Sequence, residues 1–286
     1  MPIGRFAFYA AVTILAASAA AWPQNGSVPV PADLNGDGQS DLVWVNYATG
    51  ACGAWFMDGT TILANVDFPN VPDPNMWLGA VADFNGDGKA DLVWRNLQTG
   101  TNLVWVMDGT AVAQTLMLPA QPDLAWVLSG MADFNGDGQP DLVWRNYKTG
   151  ENMIWLMNGL SIARTVDLPA VKDAKWTIEA AGDFNGDGKA DILWRNIWTG
   201  QNGAWLMDGT DISVNTDKLP VVADPNWRIT GNSFRGPDGR VGIVWRNYLK
   251  GGNFVQYLDG PMARTRCTRP TQSRSWMLGA IRTGRL

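Results

Sequence analysis

The sequence predicts an all-β fold: a five-bladed β-propeller of four-stranded blades, its ring closed by the C-terminal strand. Three observations carry this expectation. A unit of 50 residues recurs along the chain, the length of one four-stranded blade. Gly (32) and Pro (16) punctuate the chain too often for long helices. Of 27 acidic residues only Glu151 and Glu179 are Glu, and an Asp-rich, Glu-poor chain suits turns and loops better than helical surfaces.

The elements follow in chain order. Residues 1–21 read as a secretory signal: Arg5 gives a positive start, residues 6–17 are apolar, and Ala19 to Ala21 offer small residues for cleavage before Trp22. An uncleaved anchor is the alternative, but the apolar stretch falls short of the ~20 residues a spanning helix needs. The mature protein is therefore expected outside the cytoplasm, secreted or periplasmic, with no membrane contact after cleavage. Residues 22–32 form a linker, and 33–286 a single propeller with repeats starting near 33, 83, 133, 183 and 232.

Each unit opens on an Asp-rich loop, as in Asp83-Phe-Asn-Gly-Asp-Gly, and continues through Asp91-Leu-Val-Trp-Arg-Asn96, the turn Thr99-Gly100 and the hairpin signal Asp108-Gly109 to a closing Pro119. Four short strands fit between these signals. The one after the Asp loop is apolar almost throughout, as a strand buried on both faces should be. The first unit lacks a good strand before Asp33, since Pro29 and Pro31 interrupt it. Residues 276–282 resemble the segment from Trp77 to Ala82 and are expected to supply that inner strand. An open fan of the same five copies is the alternative.

The loop carries the chemistry. Side-chain oxygens stand at positions 1, 3, 5 and 9, with a backbone carbonyl at 7, and the glycines let alternate side chains converge on a hard cation such as Ca²⁺. Four sites are expected: Asp33, Asn35, Asp37, Gln39 and Asp41; Asp83, Asn85, Asp87, Lys89 and Asp91; Asp133, Asn135, Asp137, Gln139 and Asp141; Asp183, Asn185, Asp187, Lys189 and Asp191. An Asx-rich turn without metal is the alternative. The fifth loop keeps only Asp238 and gains Arg235 and Arg240, so no fifth site is expected.

This loop between hydrophobic strands, at blade period, resembles the FG-GAP/VCBS-type calcium-binding repeats over residues 33 to about 282. The resemblance implies a propeller like those of integrin α-subunits, of a class of lectins, and of modules beside secreted polysaccharide-degrading enzymes.

Repeated polar and aromatic positions are the candidate ligand contacts: Trp94, Arg95, Asn96 and Asn102; Trp144, Arg145, Asn146 and Asn152; Trp194, Arg195, Asn196 and Asn202; Trp245, Arg246, Asn247 and Asn253. Sugars pack on aromatic faces while Asn and Arg bond their hydroxyls. The competing reading places Trp in the blade core, Arg between blades and Asn on turn backbone. Cys52 and Cys267 fall in the first and fifth units, where a closed ring would let them pair as a disulfide.

Composition excludes several functions. With no His, imidazole catalysis and His-ligated zinc are ruled out, and a formal charge of −5 argues against nucleic acid. No catalytic residues are assigned. The expected function is a non-enzymatic binding module for a glycan, with an extracellular protein ligand as the second reading and a polysaccharide-active enzyme or its accessory module as the third.

Overall fold

The computed structural model describes residues 12–16, 32–58, 61–71, 73–229, 234–235 and 241–258. All regular elements among them are strands. The first sheet contains β1 (Val12–Ala16), β2 (Leu42–Asn46), β3 (Cys52–Asp58) and β4 (Thr61–Asp67). The second contains β5 (Met76–Ala82), β6 (Asp91–Asn96), β7 (Asn102–Asp108) and β8 (Ala111–Leu118). The third contains β9 (Trp126–Ala132), β10 (Asp141–Asn146), β11 (Asn152–Asn158) and β12 (Ser161–Leu168), and the fourth β13 (Trp176–Gly182), β14 (Asp191–Asn196), β15 (Asn202–Asp208) and β16 (Asp211–Leu219). Each is an antiparallel meander in sequence order, the four-stranded blade of a propeller.

The blade count needs correction. Four blades are complete, not five. In the last sheet β17 (Trp227–Ile229) and β18 (Phe234–Arg235) both pair with the same side of β19 (Val241–Asn247), which carries β20 (Asn253–Leu258) on its other side. The inner row is therefore split, and no outer strand stands among the described residues. Ring closure needs a second correction. The inner place of the first sheet, expected for 276–282, is taken by β1, with Val12 opposite Asn46 and Ala16 opposite Leu42. Residues 276–282 lie outside the described residues.

Burial follows the pattern. The second strands β6, β10 and β14 are buried at every position, whereas β8 and β12 are mostly exposed. Each hydrophobic cluster joins two consecutive sheets: Leu78 and Trp94 pack with Val43 and Ala54, and Leu128 and Trp144 pack with Val93 and Val104. Paired indoles brace the second, third and fourth blades, Trp94 against Trp105 at 5.0 Å, Trp144 against Trp155 at 4.6 Å and Trp194 against Trp205 at 4.7 Å.

A bulge in the inner strands sets the blade spacing. Register slips leave Gly79 and Glu179 without a cross-strand partner. A Cβ on Gly79 would stand 2.5 Å from Leu128 Cδ2 on the next inner strand, so the leucine side chain would have to shift to admit one. At the equivalent position Glu179 reaches across instead: Oε1 accepts from Arg228 Nη1 at 3.0 Å and Oε2 from the Ile229 amide at 3.3 Å.

Candidate functional site

Among the described residues, the antiparallel meander puts the Asp loops and the Asp-Gly or Asn-Gly hairpin turns at one end of the strands, one face of the propeller, and the Thr-Gly turns and Pro loops at the other end, the opposite face. Both faces are built by the same repeated residues.

On the Asp-loop face, Gly86 (φ 79°) and Gly88 (φ 86°) take the left-handed conformation that curls the chain back over Asp83. Asp83 Oδ1 accepts from the Gly86 amide at 2.7 Å, and Oδ2 from that of Gly88 at 2.8 Å. Asn85 Oδ1 accepts from the Asp87 amide, Asn85 Nδ2 donates to Asp87 Oδ2, and Asp87 Oδ1 accepts from the Lys89 amide. The same bonds recur around Asp33, Asn35 and Asp37, around Asp133, Asn135 and Asp137, and around Asp183, Asn185 and Asp187. Positions 1, 3 and 5 are thus gathered into one curled loop, while their oxygens turn to backbone amides; among the described residues no three acidic groups converge at ligating separation.

Position 9 makes further bonds inside the blade. Asp41, Asp91, Asp141 and Asp191 are fully buried. Each bridges two backbone donors within its blade: Asp191 Oδ2 accepts from Phe184 and Oδ1 from Met207, at 3.0 and 2.9 Å, and Asp141 does the same with Phe134 and Met157. Burial pushes Asp91, Asp141 and Asp191 up to about 7, against the pull of those two N–H groups. This carboxylate clamps the Asp loop to the third strand. Position 7 also acts through its side chain. Lys89 pairs with Asp108, Lys189 with Asp208 at 2.6 Å, and Gln139 accepts from the Gly159 amide, each tying the loop to the hairpin turn beside it.

The expected ligand contacts lie inside. Trp94, Trp144, Trp194 and Trp245 are at most 3% exposed, and Arg95, Arg145 and Arg195 at most 2%. Arg145 donates to the carbonyls of Gly150, Val171 and Asp173 and to Asn152 Oδ1. Arg95 and Arg195 make the matching bonds to Gly100 with Asn102 and to Gly200 with Asn202. Asn102, Asn152 and Asn202 then donate to the carbonyls of Pro119, Pro169 and Pro220. Asn96, Asn146, Asn196 and Asn247 accept from amides of the turn that follows each. These residues are corrected from ligand contacts to blade core and turn anchors. Arg246 is half-buried, its guanidinium over the Tyr248 ring at 6.0 Å; the side chain of Asn253 is outside the described residues. Cys52 is a free buried thiol that donates to the Pro69 carbonyl at 3.3 Å, standing in for the Asn of other blades. Burial pushes it up to about 11. Its expected partner Cys267 lies outside the described residues.

The Thr-Gly turn face carries what the sequence reading missed. Leu97, Leu124, Trp198, Val221, Tyr248 and Leu249 all project there, and Trp198 is 71% exposed with Lys175 Nζ 4.6 Å from its ring centroid. Trp198 occupies a turn position held elsewhere by Gln98 and Lys148, so the repeat gave no signal for it.

Sequence comparison agrees with the repeat geometry. The family model for FG-GAP-like repeats matches residues 33–94, 83–144 and 133–194, more than half of the chain. The chain belongs to the FG-GAP-like repeat family. No curated protein matches this FG-GAP-like chain in sequence. Among solved structures, an exo-β-1,3-galactanase from Phanerochaete chrysosporium with β-1,3-galactotriose is similar at 11% identity and a TM-score of 0.52, over 87% of this chain and 64% of that one. A nidogen/laminin complex is similar at 12% identity and a TM-score of 0.49, over 87% and 80%. A Photorhabdus luminescens Tc holotoxin pore is similar at 17% identity and a TM-score of 0.47, but only 11% of that chain is covered. At these identities the likeness concerns the propeller fold alone.

Proposed function

We propose that this FG-GAP-like protein is an exported, calcium-stabilised propeller acting as a non-catalytic binding module for carbohydrate. Trp198 carries the ligand reading. A large indole left 71% exposed on a rigid turn is unusual, and its flat face suits the C–H surface of a sugar ring. Lys175, Thr199 and Gln201 lie beside it or follow it in the turn, offering donors and acceptors for hydroxyls. Among the described residues, six of the ten exposed large apolar side chains share this face, and none lies on an Asp loop. The Leu97, Leu249 and Val221 side chains also suit a protein surface, which keeps a protein ligand as the second reading.

The loops fit a hard cation in donor chemistry. Asp87 accepts one hydrogen bond at each carboxylate oxygen and keeps lone pairs for an ion. In each loop the residues at positions 1, 3 and 5 and the carbonyl at 7 would hold it, with water completing the shell. Position 9 would stay with the blade. The cation would offset the repulsion between the carboxylates of each loop. Export rests on the leader-like residues 1–21, and no described helix is long and apolar enough to cross a membrane. Cleavage before Trp22 would take β1 from the first blade.

A glycan array with calcium present, run beside Trp198→Ala and beside chelator, tests the ligand reading. The proposal expects a glycan signal that Trp198→Ala abolishes while leaving stability within about 0.5 kcal/mol. Absence of any glycan signal would reject carbohydrate in favour of protein, and turnover of a polysaccharide would reject the non-catalytic reading.

A further inference from the structure

Every Asp loop contains asparagine followed by glycine: Asn35–Gly36, Asn85–Gly86, Asn135–Gly136 and Asn185–Gly186. Such a step is labile. The glycine nitrogen, on losing its proton to solvent base, adds to the asparagine Cγ. The Cγ–Nδ2 bond breaks, ammonia leaves, and a five-membered imide remains. Water then opens the imide at either carbonyl, giving aspartate or its β-linked isomer. Glycine favours the attack because no side chain shields its nitrogen.

The folded loop engages both reacting groups in hydrogen bonds of its own. The amide of Gly36 donates to Asp33 Oδ1 at 2.7 Å, as Gly86 does to Asp83, Gly136 to Asp133 and, at 2.6 Å, Gly186 to Asp183. The asparagine side chain is held at both ends: Asn135 Oδ1 accepts from the Asp137 amide and Asn135 Nδ2 donates to Asp137 Oδ2, each at 2.9 Å. Attack requires the glycine N–H to leave its carboxylate and the side-chain amide to leave both of its partners. Solvent is not the barrier, because Asn85, Asn135 and all four glycines are exposed.

We infer that these four Asn–Gly steps are latent modification sites, closed by the hydrogen bonds of the folded loop and cyclising when a loop opens. Each conversion is one-way. It replaces an amide donor by a carboxylate facing Asp37, Asp87, Asp137 or Asp187, so the side-chain bond that closed the loop cannot re-form. The modified chain thereby keeps a record of which blade opened. These bonds are the protein's own, and the test is run in chelator so that no ion at the loop contributes.

The test follows each loop peptide by mass. Full-length protein is held at mildly alkaline pH, folded and in concentrated urea, and the mass gain of the amide-to-acid exchange is timed at each site. All four sites should react at least roughly tenfold more slowly in folded protein, in proportion to how seldom the loop opens; equal rates would overturn the inference. Asp133→Ala removes the acceptor of the Gly136 amide and should accelerate Asn135 while the other three sites keep their rates. If this variant unfolds, as circular dichroism reports, all four sites should reach the urea rate. An unchanged rate at Asn135 in folded Asp133→Ala, or a slow rate in the unfolded variant, would overturn it equally.

Discussion

The guanidinium of Arg145 lies over the indole of Trp194 in the next blade, 5.0 Å from its ring centroid. Arg95 stands over Trp144 at 5.2 Å and Arg195 over Trp245 at 5.0 Å, so the second, third and fourth blades each hand an arginine to the next. The same arginine accounts for the Thr-Gly turn and the Pro loop of its own blade by donating to their carbonyls. One side chain therefore fixes a blade internally and orients it against its neighbour.

Arg145→Lys should consequently be costly although it keeps the charge. A lysine cannot span the carbonyls of Gly150 and Val171 together with Asn152, nor stack flat on Trp194. Loss of the stack and of several buried bonds is expected to lower unfolding stability by about 2–4 kcal/mol. Urea denaturation of the two proteins measures it, and a difference near zero would contradict this role.

Positions 5 and 9 of one loop should separate by phenotype. Asp191→Ala leaves the buried amides of Phe184 and Met207 without their acceptor and should cost about 2–4 kcal/mol even in chelator. Asp187→Ala touches an exposed carboxylate, and its chelator stability should stay within about 0.5 kcal/mol of the parent. Calcium titration should lose one site for Asp187→Ala. Equal destabilisation by both substitutions would remove the distinction between cage and clamp.

Asp123 should give the fold an acid-sensitive contribution. The Ala125 amide and then the Asn146 side chain hold its carboxyl below the ordinary range. A depressed folded value stabilises above the ordinary carboxylate pKa of about 4, and that contribution is lost as pH falls through the folded value. Asp123→Asn should therefore be less stable than the parent at neutral pH, the gap closing in acid. Asp91, Asp141 and Asp191 act in the opposite sense, since values raised to about 7 by burial favour the folded state as pH falls from about 7 towards 4. Their effect is common to both proteins and cancels in the difference. Denaturation midpoints across pH test the sign, and a gap that widens in acid would refute it.

The fold was legible where the repeat was strong. The Asp loop, the apolar second strand and the two turn signals place β5 to β16, because four copies of one pattern constrain each other. Function was harder to read for the same reason. Arg, Asn and Trp recurring at fixed spacing look alike whether they face a ligand or the next blade, and only burial separates the two. Likewise, spacing marks position 9 as an oxygen donor but does not say whether a cation or a pair of amides receives it. At the first blade Val45 and Cys52 replace Arg and Asn together, so the departure of both from the pattern marks one lost bond. The apolar residues 12–16 serve a leader and a strand equally well in pattern. Trp198, the exposed ring that now carries the ligand reading, has no repeated counterpart to announce it.

The Asp loops as cation cages are the centre of this account, and calorimetric titration of chelator-stripped, full-length protein with calcium tests them most directly. Four calcium ions should bind per chain, one for each loop from Asp33, Asp83, Asp133 and Asp183. A stoichiometry of zero would reduce the loops to hydrogen-bonded turns, and a stoichiometry of five would contradict the loss of ligands around Asp238.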